Sequence, residues 1–146
     1  MAKGIQKAVI KYVLADDVDE LPEDRTIFHI RQLSFEETIP STKRIQKALT
    51  QKPDGSFDTN EKIYLKAKKL DFIESLVKVE NYAFGHRFSE LQKKGVIDFD
   101  DQSTIHLLFE DLTPDWVNEI IEVARGNLKG IEIKDELSKD DALEDA

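Results

Sequence analysis

Ala8-Val9-Ile10-Lys11-Tyr12-Val13-Leu14 and Thr26-Ile27-Phe28-His29-Ile30-Arg31-Gln32-Leu33 are the two stretches on which the fold turns. Both are rich in β-branched and aromatic residues, which suit a packed, pleated surface better than a helix. In the second stretch, apolar residues fall on both alternating sets, too many for a simple half-exposed strand. The connection from Asp16 to Asp24 holds six acids and Pro22 and reads as solvated. A small antiparallel pair at the start of the chain is the expectation.

Outward from this pair the signals are helical. Ser34 with Glu37 forms a capping box, but Pro40 would fall inside the helix it opens. A short turn at 35–39 and a helix from about Pro40 to Thr50 follow. Pro53-Asp54-Gly55-Ser56 has the chemistry of a turn. Asp58 with Glu61 is expected to cap the next helix, in which Ile63, Ala67, Leu70, Ile73 or Glu74, and Val77 form a core stripe running to about Tyr82. Gly85 ends it, and Ser89 with Gln92 opens a short helix closed at Gly95. Asp98, Asp100 and Asp101 place negative charge before a helix around Thr104–Phe109. Thr113 caps the clearest helix, with Pro114 in its first position, Val117, Ile120, Ile121 and Ala124 on one face, and Gly126 at its end.

The fold class read from these signals is α+β, mainly α-helical. An N-terminal two-stranded β element packs on four or five helices, with an acidic C-terminal extension. Residues 1–128 form one domain, and residues 129–146, poor in apolar side chains, form an acidic, weakly ordered tail. A chain of 146 residues is long enough for one sizeable core and short for two. Its 40% hydrophobic and 35% charged residues place it among folded proteins rather than disordered ones. There is no cysteine, which excludes disulfides, thiolate metal sites and thiol catalysis. No signal peptide and no apolar run near the roughly 20 residues of a membrane span is visible, so a cytoplasmic location and no membrane partner are expected.

The net charge of −9 hides a polarity: −3 over residues 1–40, +5 over 41–70, zero over 71–97 and −11 over 98–146. Opposite potentials on one small protein suit binding and assembly more than buried chemistry. As a whole the chain repels nucleic acid, and no nucleic-acid partner is expected.

Candidate sites are few. His29, His86 and His106 lie far apart without helical ligand spacing, and read better as surface residues than as a metal site. Asp54 to Asp58 and Asp98 to Asp100 begin like calcium loops, but Leu65 and Phe109 stand where the last ligand is needed. No nucleophile elbow, dinucleotide fingerprint or phosphate loop occurs. No metal, no cofactor and no enzymatic activity are therefore expected. Lys62, Lys66 and Lys69, with Tyr64 and Phe72 for stacking, offer a phosphate grip on paper, yet their helical spacing fits a solvent face better. Trp116 is either packed core or an exposed partner anchor.

The order of parts is similar to that of small morphogenesis proteins of tailed bacteriophages. The likeness runs from Thr26-Ile27-Phe28-His29-Ile30-Arg31-Gln32-Leu33-Ser34-Phe35-Glu36-Glu37, through Val79-Glu80-Asn81-Tyr82, to Leu112-Thr113-Pro114-Asp115-Trp116-Val117-Asn118-Glu119-Ile120-Ile121 and a charged tail. The group it most resembles is the tail assembly chaperones. That resemblance implies a non-enzymatic helper that binds the tape-measure or tail-tube protein during virion morphogenesis, in the host cytoplasm or retained in the virion. The two strands leave room for a minor virion structural or connector protein. From a different class comes an acidic inhibitor that occupies a nucleic-acid-binding site on a host protein. If a client helix is bound, the expected receiving surface is an apolar groove near the Thr113–Arg125 helix, with Phe109, Trp116, Val117 and Ile120 as partner-binding residues. Oligomeric state is left open.

Overall fold

The computed structural model describes residue 5, residues 7–85 and residues 102–134. Within them, β1 (Val9–Val13) and β2 (Ile27–Arg31) pair antiparallel, with Tyr12 opposite Phe28 and Ile10 opposite Ile30. Two further strands extend this pair. β5 (Leu76–Glu80) joins β2, and β6 (Ile131–Ile133) joins the free edge of β1, giving an antiparallel sheet of order β5-β2-β1-β6. A separate hairpin, β3 (Leu49–Gln51) and β4 (Phe57–Thr59), makes a second small sheet. The helices are α1 (Ile39–Lys47), α2 (Glu61–Ser75), α3 (Gln102–Asp111) and α4 (Pro114–Ala124).

This corrects the expectation of a two-stranded element packed on helices: the sheet has four strands, drawn from the start, middle and end of the described chain. The expected helix to Tyr82 stops at Ser75, and Leu76-Val77-Lys78-Val79-Glu80 continues as strand. Leu76 and Val79, three residues apart, fit a helical stripe; as strand residues they share the core face only because the register on β2 shifts between His29 and Ile30, so the tertiary partner and not the local pattern decides for a strand. The boundary at Leu128 is corrected too. Ile131–Ile133 is an edge strand rather than part of a loose tail, while residues 135–146 lie outside the described residues. The short helix expected between Ser89 and Gly95 also lies outside them.

Some local signals elsewhere hold and others shift: the helix expected to run to Thr50 ends at Lys47, and Leu49–Gln51 is strand. Ser34 and Glu37 exchange capping-box hydrogen bonds, Ser34 N–H to Glu37 at 3.1 Å and Glu37 N–H to Ser34 at 3.3 Å, around the tight turn Glu36–Thr38. Gly55 takes φ +89° at the tip of the β3–β4 hairpin, where Asp54 accepts from Ser56 N–H at 2.9 Å. The α2 cap is Asn60, not Asp58: its side chain accepts from Ile63 N–H at 3.2 Å. Thr113 caps α4 as expected, with Pro114 in the first turn.

One sheet face carries the core. Ile10, Tyr12, Phe28, Ile30, Leu76 and Val79 meet Phe72 of α2, Ile105 and Leu108 of α3, and Ile120, Ile121 and Val123 of α4. On the other face Lys11, His29 and Lys78 align across three strands, and Glu80 sits 2.8 Å from His29. The hydrogen bond from His29, with Lys78 and Lys11 nearby, holds the Glu80 carboxyl below its ordinary pKa. Two ion pairs and a hydrogen bond fasten α1. Arg44 reaches buried Asp71 at 2.8 Å and grips Glu74 with both terminal nitrogens, and Arg125 donates to the Ser41 hydroxyl at 2.6 Å.

Candidate binding groove

α2 departs from its expected amphipathicity, and the departure makes the site. Its core side is Ala67, Asp71, Phe72 and Ser75, whereas Ile63 and Leu70 of the expected core stripe are 40% and 37% exposed. Burial of Phe72 also removes it as a stacking platform beside the lysines. On a third side of the helix, Tyr64 and Leu65 face solvent, Leu65 at 59% exposure. They form one wall of an apolar groove of about 360 Å³ whose other walls are Phe109, Leu112, Pro114 and Val117 from the α3–α4 corner.

Each wall is fixed from beneath. The Phe109 ring lies 5.6 Å from the Phe72 ring, and the Lys69 ammonium caps it at 5.9 Å while reaching Glu110 at 3.7 Å. Lys68 spans the groove rim, donating to Asn118 at 3.2 Å and lying 5.7 Å over the Tyr64 ring. The groove thus has an apolar floor and a rim of one ammonium, one carboxylate and one amide. That pattern suits a helix with an apolar stripe and mixed polar flanks.

Of the four residues expected to bind a partner, the structure brings two to this groove. Phe109 and Val117 line it, Val117 from the floor at 6% exposure. Ile120 is fully buried in the core and has no surface to offer a partner, because it sits one helical turn further along the inward face of α4. Trp116 faces the other way. Half-buried, it donates its indole N–H to Asp16 at 2.7 Å and lines a separate acidic cavity of about 390 Å³ with Asp17, Glu20, Glu23 and Tyr82. Burial raises the Asp17 carboxyl above its ordinary pKa, with Glu20, Asp16 and Glu119 adding to the effect. Across this cavity from Trp116, Tyr82 donates to Asp111, which also accepts from Gly85 N–H at 2.9 Å. Sequence reasoning missed Leu65 and weighed Tyr64 only as a stacking residue beside the lysines; the signal for the groove was two adjacent apolar residues lying off the stripe assigned to the core.

Among the described residues, no three His, Asp or Glu side chains stand close enough to hold a metal ion. None of the described helices is long and apolar enough to cross a membrane. No protein-family model, no curated protein and no solved structure matches this chain.

Proposed function

We propose that this protein is a non-enzymatic binding protein that receives an amphipathic client helix in the groove between α2 and the α3–α4 corner. The observation that carries the reading is the solvent-facing apolar wall of Tyr64 and Leu65 opposite Phe109 and Val117, in a chain otherwise dense in charge. The sequence resemblance supplies the client: the helical tape-measure protein of a tailed phage, kept soluble in the host cytoplasm while the tail tube assembles around it. An acidic carrier of net charge −9 suits that role, since like-charged complexes resist aggregation.

The test is calorimetric titration of an amphipathic helix from a tape-measure protein into the wild-type chain and into Leu65→Glu, a surface change that leaves the core intact. Binding with a negative heat-capacity change, weakened at least tenfold by the substitution, supports the reading. Equal affinity for both chains rejects it. A second reading, an acidic inhibitor of a nucleic-acid-binding host protein, draws on the carboxylates of Asp17, Glu20 and Glu23 around the Trp116 cavity. That mode weakens steeply with salt and is indifferent to Leu65→Glu.

A further inference from the structure

Between α1 and α2 lies a second groove, of about 160 Å³, with Ile63, Ala67 and Leu70 as its floor and Lys47 and Lys66 on its rims. A cavity of about 150 Å³ admits a benzene ring, so this groove has room for a single aliphatic side chain. Arg44 beside it is committed to Asp71 and Glu74. Lys43, Lys47, Lys62 and Lys66 are exposed and, among the described residues, take part in no ion pair. An open aliphatic floor between uncompensated ammonium groups matches one aliphatic side chain flanked by carboxylates.

The connection between β1 and β2 carries that pattern. Asp16, Asp17, Asp19, Glu20, Glu23 and Asp24 stand in it without a basic residue among them. Among the described residues, no ion pair engages any of the six. Between Glu20 and Glu23, Leu21 is 61% exposed and lies outside the wall of the Trp116 cavity. Arg25 holds the backbone beneath it, donating to the Glu20 carbonyl at 3.0 Å and to the Val18 carbonyl at 2.6 Å. Leu21 is thus a knob on a fixed loop, and little further ordering is needed when it makes a contact.

Knob and groove of one chain cannot meet. Trp116 of α4 bonds Asp16 of the connection, while Asn118, roughly 200° further round the same helix, bonds Lys68 of α2. α2 in turn presents Ile63, Ala67 and Leu70 towards α1, away from Tyr64 and Leu65. Across the helical layer the order is therefore connection, α4, α2, α1, with two helices between the acidic knob and the cationic groove. We propose that the α1–α2 groove receives the Asp16–Asp24 connection of a second copy of this chain, with Leu21 seated on Ile63 and Leu70 and with Glu20 and Glu23 against Lys47 and Lys66. Because the two surfaces lie on opposite flanks, the contact is head-to-tail. Each added copy leaves one groove and one knob open, so copies extend in a row or close into a ring and do not stop at a two-fold pair. The small apolar area makes each contact weak and reversible.

Sedimentation velocity on the complete chain tests this. At about 0.1 M salt the average mass should rise with concentration past that of a dimer, and at about 1 M it should fall to the monomer, as the screening length drops from about 10 Å to about 3 Å. Lys47→Glu with Lys66→Glu should abolish the association, and so should Glu20→Lys with Glu23→Lys; all four side chains are exposed. An equal mixture of the two variants should restore it, since each then finds its complement on the other. Leu65→Glu should leave it unchanged, which separates this contact from the groove lined by Tyr64 and Leu65. A wild-type chain that stays monomeric at 0.1 M salt overturns the proposal. So does association that survives in either double variant, a mixture that stays monomeric, or a discrete dimer that grows no further.

Discussion

Tyr12 and Glu119 lie 107 residues apart in sequence and meet in the interior. The Tyr12 hydroxyl donates to the Glu119 carboxylate, which also accepts from Ala15 N–H at 2.8 Å, while Gly130 N–H donates to the Tyr12 oxygen at 2.6 Å. One phenol therefore ties β1 to α4 and to the turn entering β6. A Cβ at Gly130 would stand 2.0 Å from the Val13 carbonyl oxygen, so the turn approaches β1 more closely than any other residue permits. Burial first, and the Glu119 hydrogen bond second, push the Tyr12 pKa up to about 12. The folded state thus keeps a proton that the unfolded chain releases near its ordinary value of about 10. Stability from this source is complete below pH 10 and declines as pH rises towards 12. Denaturant titrations across this range should show a shallower alkaline decline in Tyr12→Phe than in wild type. Equal slopes would mean that the phenol is not held as described.

At the scale of elements, the ionic joint of α1 and α2 is the most exposed to a single change. Asp71 is 4% exposed, and after Arg44 its remaining cation is Arg125 at 3.9 Å. Arg44→Ala is expected to cost about 3 kcal/mol, the low end for a buried charge that loses its main partner, because Arg125 remains near Asp71, and thermal melts measure it. A cost below about 1 kcal/mol, the range of exposed pairs, would contradict it. β6 gives a second expectation. Truncation after Lys134 should leave the melting temperature within a few degrees, whereas truncation after Leu128 removes the β1 edge partner and the Gly130 donor and should lower it well beyond that. Equal melting temperatures would show that the edge strand carries no stability. β6, together with β5, also marks where the sequence was hard to read. The Ser34–Glu37 box, the Gly55 turn and the Thr113–Pro114 start were legible because each is complete within four residues. Leu76–Glu80 and Ile131–Ile133 become strands only through distant partners, β2 and β1, and neither has a local signature strong enough to announce it.

For the whole molecule, charge is also separated in space. The cations of α1 and α2 stand on one side of the helical layer, and the carboxylates of Asp17, Glu20 and Glu23 ring the Trp116 cavity at another. The apolar groove lies between α2 and the α3–α4 corner. Part of this site could be read in advance: Phe109 and Val117 belong to the acidic third with the best-defined helix. Trp116 could not be placed, because the first turn of a capped helix leaves open which side a ring takes, and its bond to Asp16 spans 100 residues. A client helix seated in the α2–α4 groove, as proposed, is tested by mapping amide-signal changes on addition of a tape-measure helix. Changes concentrated on Tyr64–Lys68 and Phe109–Asn118, absent in Leu65→Glu, are expected. Changes confined to the Trp116 cavity or the outer sheet face, with Tyr64–Lys68 unmoved, would contradict it.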